Sequence, residues 1–450
     1  MPSKKDEYLK LALENYVVVP RPERILVNEE ATKWVRDHGV EFYVQFLPSG
    51  ETRGFSRMGA EAINSLASIL FWANPAYRFG TNLERLSSAV ADGVFSVTEG
   101  KTTSDVASVE RHVEKWFAQQ SFPKTFLIPC SISPYEAHAF SVGPVVFQTK
   151  KSLLDKESKK ETFSVHRHDL ERLFEFMDER GANWVAEVRI ERSDFQSASF
   201  KADLAVDLSL TALQLVIPVV FSREVARITG RTIPKWVGSI YRSGESLRSS
   251  IHRNDPCFSL SEEVFSECLF EKRPILDSVG HRIESFINGV SELPNLEQAW
   301  CDAAYWLHEG LSERLDMIAI TKIETAIEVL LCAESTKGSS SILKEAFRAF
   351  YHLEENQPLI SGHNRTTKQF ISSIVTARSR ILHGTLSTLV PDIGQSDVFL
   401  SRDEIEWLGV DLISRYAVEL NDYMKDDTKT DNIEKFLRWI EYKPRDLNDL

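Results

Sequence analysis

The chain has 450 residues, a formal net charge of −13 at pH 7, and 42% hydrophobic and 26% charged residues. That length exceeds one ordinary core and predicts two domains, and the composition is that of a folded protein rather than a disordered one. The acidic balance excludes a protein that coats nucleic acid by general electrostatics, so any RNA site has to be local.

Five cysteines, Cys130, Cys257, Cys268, Cys301 and Cys332, stand apart with no C-x-x-C pair, which fits neither a disulfide framework nor a zinc site. No metal and no cofactor are expected. The first residues, Met1-Pro-Ser-Lys-Lys-Asp-Glu7, have no apolar segment behind their charges, so a signal peptide is not expected. The longest apolar run, Leu208 to Phe221, contains Gln214 and Pro218 and is shorter than the roughly 20 residues a membrane span requires. The expectation is a cytoplasmic protein without membrane contact.

Residues 1–285 mix two periodicities. Gly59–Trp72, His168–Asp178 and Asp203–Val216 are predicted helices, while Lys124–Ile132, Ala139–Gln148 and Val185–Glu191 are predicted strands. In the last of these Ala186, Val188 and Ile190 alternate with Glu187, Arg189 and Glu191. The lysine-rich stretch Lys150–Lys160 is predicted as an exposed loop, and Gly230–Ser250 as irregular or short-strand structure. From residue 286 the pattern is helical. Pro294-Asn295 marks a helix start, after which Leu296, Trp300, Ala303, Ala304, Leu307 and Leu311 repeat at three and four. A second helix carries Leu315, Ile318, Ala319, Ile323, Ala326, Ile327, Leu330 and Leu331, and Lys337–Ser341 is predicted as the connector that closes it. A third helix covers Ile342–Leu353 and a fourth Thr367–His383. The fifth opens on a capping box, Ser401-Arg402-Asp403-Glu404, and the last covers Ile433–Tyr442. The predicted fold is therefore α+β over 1–285, followed by an all-α antiparallel helical bundle over 286–450.

Chemistry concentrates on the fourth helix of the bundle. From Gln357 to Val390 there is no Asp or Glu, while Arg365, Lys368, Arg378 and Arg380 all fall inside. At about 100° per residue, Phe370, Ile371, Ile374, Val375, Ile381 and Leu382 fill one arc, with Arg378 in its middle. A guanidinium aimed at a core cannot shed its charge, so an acid or a cleft has to meet it. Glu324 and Glu328, flanking the apolar face of the second helix, are the nearest acids by pattern. His383 lies about 140° around the helix from Arg378, so two copies related by a two-fold axis would bring an Arg and a His to one groove more readily than one copy would.

The residues Arg378-Ser-Arg-Ile-Leu-His383, followed by Gly384, resemble the Arg-x4-6-His motif of the HEPN superfamily, and Lys322–Leu331 resembles part of that family's long second helix. The nearest subgroup is the ApeA-like HEPN proteins of bacterial phage defence, and the resemblance covers about residues 290 to 425. Ser379 stands where family members often have Asn. The resemblance implies a HEPN-like ribonuclease domain that cuts RNA without metal. The 2′-hydroxyl attacks the adjacent phosphorus, leaving a 2′,3′-cyclic phosphate and a 5′-hydroxyl. It makes Arg378 and His383 the catalytic pair, with Ser379, Glu324 and Glu328 in support and Arg380, Lys368 and Arg365 on the RNA backbone. The residue types suit that chemistry, because imidazole exchanges protons near neutrality and a guanidinium stabilises charge on phosphoryl oxygens. A homodimer or larger homo-oligomer, RNA as substrate and a phage-derived trigger acting through the N-terminal domain complete the expectation. The alternative from another class is a non-catalytic dimerisation or nucleotide-binding module, with Arg378 in a structural ion pair and the N-terminal domain carrying the function.

Two other signals point away from a site. Gly100-Lys101-Thr102 lacks the glycine a phosphate loop needs five residues before Gly100, where Phe95 stands. His166 and His168 are explained by alternation on an exposed strand or turn without a metal.

Overall fold

The computed structural model describes residues 3–20, 28–134, 137–231, 236–253, 260–333, 336–359, 365–384 and 400–443. The chain forms two compact units. The first comprises Met1–Lys124 with Ile190–Phe200, and the second Thr125–Arg189 with Lys201–Leu450, so the contacts divide elsewhere than at residue 285.

In the first unit the elements run α1 (Lys4–Glu14), β1 (Tyr16–Pro20), α2 (Asn28–Asp37), β2 (Phe42–Phe46), β3 (Glu51–Phe55), α3 (Arg57–Ala73), α4 (Pro75–Gly80), α5 (Leu83–Thr98) and α6 (Val106–Gln120). The strands form an antiparallel sheet in the order β1-β3-β2. Helices α3, α5 and α6 bury one face each, and Ile63, Leu66, Val90, Val94, Val109 and Val113 pack with Phe55 into one core. The returning segment 190–200 closes this unit. Asp194 is fully buried, accepts from Thr81 Oγ1 at 2.6 Å, pairs with Arg85 at 3.2 Å, and donates its backbone N–H to Gly80 O at 2.8 Å.

The second unit begins with β4 (Lys124–Ser131), β5 (Phe140–Val142), β6 (Val145–Thr149), α7 (Lys150–Glu157), α8 (Phe163–Arg180), β7 (Trp184–Ile190), α9 (Phe195–Val216, whose first residues, 195–200, count with the first unit), α10 (Val219–Ser222) and β8 (Ala226–Arg227). The strands form one sheet in the order β5-β6-β7-β4-β8, so the three predicted strand regions all pair here. Short pairs follow, β9 (Trp236–Val237) with β12 (His252–Arg253) and β10 (Ile240–Ser243) with β11 (Ser246–Ser249). The lysine-rich stretch is the helix α7 instead of a loop. Thr149 caps it, Leu153 is buried against α8, and Lys150 and Lys156 reach Asp178 and Glu187 at 2.6 Å. His166 and His168 likewise sit on α8 and not on a strand or turn, and both are exposed.

The helical part contains α11 (Glu262–Glu271), α12 (Arg273–Asn288), α13 (Pro294–Leu311), α14 (Asp316–Leu330), α15 (Thr336–Tyr351), α16 (Thr367–Leu382), α17 (Arg402–Tyr423) and α18 (Ile433–Tyr442). Helix α14 packs on α13, α16 and α17, while α15 packs on α16 and α18. Trp300, Ile323, Ile327, Phe347, Phe370, Leu412, Tyr416 and Phe436 are all at most 1% exposed, and together they form a bundle core. Both predicted helix starts hold. Pro294 opens α13, and Ser401 and Glu404 cap α17 reciprocally at 3.2 and 2.8 Å. The predicted connector Lys337–Ser341 is helical instead, the first turns of α15, because Ser339 is buried and gives its hydroxyl to Glu328.

Helix α12, which begins before residue 286 and runs through it, belongs with these helices. Its Gly280 lies so close to Gly143 in the β5–β6 turn that a Cβ on Gly143 would stand 2.5 Å from Gly280 O, and Gly143 has φ +54°. Only glycine accommodates both the positive φ and the approach. By contacts the sheet and the helices fall in the same unit, and the change of pattern near residue 286 accompanies a rise in helix content.

Candidate functional site

Helix α14 presents Glu324 and Glu328 one turn apart toward α16, as residues four positions apart must be. Helix α16 begins at a capping box of its own, Thr366 with Gln369, at 3.3 and 2.9 Å. Its apolar stripe buries Phe370, Ile371, Ile374 and Ile381. Arg378 follows this stripe to the α14 side, where Nη1 donates to Glu328. Ser339 Oγ donates to the other oxygen of Glu328 at 2.5 Å. The acid that had to meet the guanidinium is thus Glu328. The Arg378 side chain stays 31% exposed, although its Nε is buried without a hydrogen-bond partner among the described residues.

Glu324 is 1% exposed and its Oε2 has no partner among the described residues. Burial, reinforced by the neighbouring Glu328 and opposed by Arg378, raises its pKa to about 9. At neutral pH it is therefore a carboxylic acid, leaving one carboxylate and one guanidinium to balance each other.

His383 occupies the C-cap of α16. Its backbone N–H donates to Ser379 O at 3.0 Å, and Gly384 follows with φ +69°, the left-handed residue that ends many helices. The imidazole is exposed and makes no hydrogen bond or ion pair among the described residues. Within one chain, then, Arg378 turns toward α14 and α15 while His383 stands beyond the helix end. Ser379 is half-buried between them in sequence.

The stretch without acids in the sequence is not without acids in space. Arg365 meets Glu404 at 2.7 Å and stacks over Phe370 at 4.9 Å, and Lys368 lies 4.0 Å from Glu355. The expected phosphate-accepting surface therefore has two of its three cations already facing carboxylates from flanking segments. Arg380 is half-buried and also engaged. Residues 360–364 and 385–390 of that stretch lie outside the described residues.

Two further buried charge groups are not among the expected site residues. Arg282 on α12 is 1% exposed, lies 3.1 Å from Glu297, and donates to Asn421 at 2.6 Å. It sits between Val279 and Ile283 on an apolar stripe, so the wheel argument that isolates Arg378 finds it too once applied to α12. Asp207 takes Arg227 through both oxygens, at 2.7 and 2.8 Å, beside the buried pair His308–Gln214 at 2.8 Å. Asp207–Arg227 and His308–Gln214 are enclosed and satisfied by one another, whereas Arg282 Nε and Nη1 and Glu297 Oε2 are buried without a hydrogen-bond partner among the described residues.

Among the described residues there is no group of three or more His, Cys, Asp or Glu placed to hold a metal ion, and no helix long and apolar enough to cross a membrane. No protein-family model, curated protein or solved structure matches this chain.

Proposed function

We propose that the chain is a metal-independent endoribonuclease of the HEPN type that acts in the bacterial cytoplasm in anti-phage defence. The observation that carries this reading is Arg378. It is a partly exposed guanidinium set into an otherwise apolar stripe of a bundle helix, five residues before an exposed imidazole at that helix's C-terminus. The guanidinium has donors left over after Glu328 has taken one.

In the proposed reaction a P–O2′ bond forms as the P–O5′ bond breaks. The 2′-hydroxyl gives up its proton, the 5′ oxygen receives one, and no water is consumed. His383 carries protons in this exchange, and Arg378 stabilises the negative charge that grows on the phosphoryl oxygens. Two copies of the chain, related by a two-fold axis, supply the Arg and His of one groove. The residues that precede the helical part restrain the activity until a phage-derived trigger is met.

A second reading is favoured by a specific contact. The chain Ser339–Glu328–Arg378 closes one edge of the guanidinium, as a structural ion pair in a non-catalytic dimerisation or nucleotide-binding bundle would. One experiment separates the two. The purified full chain is incubated with RNA in EDTA and the new ends are sequenced, beside Arg378→Ala and His383→Ala. The nuclease reading expects 2′,3′-cyclic phosphate and 5′-hydroxyl ends that persist in chelator and vanish in both variants. RNA left whole by the parent chain, or cut equally by all three, refutes it.

A further inference from the structure

Helix α18 is amphipathic in an unusual way. Phe436, Leu437 and Ile440 are buried against the bundle. A second stripe, at spacings of three, four and seven, carries Lys435, Arg438, Trp439 and Tyr442. This stripe borders a groove of about 500 Å³ whose far wall is the turn 426–430 and Tyr423.

The groove combines two kinds of group. Tyr442 is 74% exposed, and such an aromatic surface gains nothing from water. Trp439 beside it is half-buried and fixed from below, its ring 5.1 Å from that of Tyr423 and its Nε1 donating to Asp426 at 2.8 Å. Lys443 lies 5.1 Å over the Trp439 ring and is held by Glu419 and Asp422 at 3.0 and 2.8 Å. Lys435 and Arg438 differ from it: both are exposed, and neither side chain has an ion pair or hydrogen bond among the described residues. Asp426, the acid on the groove wall, is already taken by the Trp439 ring and by Thr428 at 2.6 Å. In a chain of net charge −13, two unpaired cations next to an exposed ring and a rigidly held one form a local exception to the general repulsion of polyanions.

We infer that this groove binds single-stranded RNA, with Lys435 and Arg438 on successive phosphates and a base stacked on Tyr442 beside Trp439. Single strands are specified because stacking requires an unpaired base, whereas a duplex offers only its phosphates and groove edges. The choice of RNA rests on the ribonuclease reading of the same bundle. The groove would hold the strand whose scissile phosphate lies elsewhere, so its residues position substrate and do no chemistry.

The test uses the full chain carrying His383→Ala, an exposed change that prevents cutting of the probe. A fluorescein-labelled 12-nucleotide oligouridine and a blunt RNA duplex of equal length are titrated by fluorescence anisotropy over a range of salt. Tyr442→Ala is expected to weaken single-strand binding by about 5- to 150-fold, the effect of losing one stacked base. Lys435→Gln with Arg438→Gln is expected to lower the slope of log affinity against log salt by about 1.4, the value for two single-strand phosphate contacts. All three positions are at the surface, so an unchanged melting temperature certifies the fold. Unaltered affinity in both variants overturns the inference. So does duplex binding as tight as single-strand binding with Tyr442→Ala silent, and so does displacement of RNA by polyglutamate at equal charge. Failure of the groove while the parent chain still yields cyclic-phosphate ends leaves the nuclease reading intact. RNA held through the groove yet left whole by the parent chain removes that reading and keeps this one.

Discussion

Replacing Glu324 by Gln tests the electrostatics at the centre of the candidate site. The Glu324 carboxyl has an ordinary pKa of 4.5, raised in the fold to about 9 by burial and by Glu328. A carboxyl raised in this way takes up a proton on folding, so the fold is favoured where the unfolded chain is also protonated and loses stability as pH climbs from 4.5 to 9. Each tenfold change in proton affinity corresponds to about 1.4 kcal/mol. The cost is therefore under about 1 kcal/mol at pH 5, about 3 kcal/mol at pH 7 and about 6 kcal/mol above pH 9, as upper values for a group this enclosed. Glu324→Gln has the same shape and no titration. Its urea midpoint is expected to match the parent's near pH 4.5 and to exceed it progressively up to pH 9, with the bundle transition followed by far-ultraviolet circular dichroism. Parallel pH profiles for the two proteins, or a variant less stable at pH 8, would refute a neutral Glu324 and with it the one-to-one balance between Glu328 and Arg378.

Three further outcomes follow from the packing. Gly310→Ala would place a Cβ 2.6 Å from Ile323 Cγ1 and 3.2 Å from Ile323 N, so it is expected to cost about 1–3 kcal/mol in chemical denaturation; an unchanged midpoint would contradict the close approach of α13 and α14. Burial, with Arg231 and Arg227 adding to it, holds the His308 imidazole well below its usual pKa of 6.5, so the ring is neutral in the fold. Stability is accordingly fully present above pH 6.5 and falls as the pH drops below it, and His308→Asn should flatten that acid limb even though it lowers stability at neutral pH; equal acid slopes would count against the assignment. Ser401→Ala removes the hydroxyl that caps Glu404 N and is expected to cost about 1 kcal/mol, with Ser401→Asp close to the parent; the urea midpoints of the three proteins decide it.

The bundle is legible in the sequence because its helices announce themselves twice, by three-and-four apolar spacing and by caps such as Pro294 and Ser401 with Glu404. The environment of the candidate site is less so. Arg378 can be read as a charge in need of an acid, and Glu328 is that acid. Nothing in the sequence near α16 foretells Glu355 and Glu404, which arrive from either side and meet Lys368 and Arg365. Ser339 is hidden for a related reason. A Gly-Ser-rich turn has weak helix propensity, and a tertiary bond to Glu328 decides its conformation. Helix α7 escapes notice because its lysines outnumber its apolar residues, although Leu153 shares a core cluster with Phe174 and Met177. The fold class, a sheet-containing N-terminal region with a mostly helical C-terminal part, follows from periodicity; how the sheet joins the helices depends on Gly143 and Gly280, which periodicity does not see.

The return of residues 190–200 to the first unit has a consequence for anyone dissecting the gene. The polypeptide passes between the two units three times, near 124, near 190 and near 200, so neither is a cassette that a single cut releases. A fragment ending at Lys124 would lack the Asp194 carboxylate that Thr81 and Arg85 engage, and also the Ser193 carbonyl that accepts from Lys124 at 2.9 Å. Swapping this region between homologues, or trimming it to free the bundle, requires three junctions chosen together; a conventional two-piece truncation series would report misfolding and not autonomy.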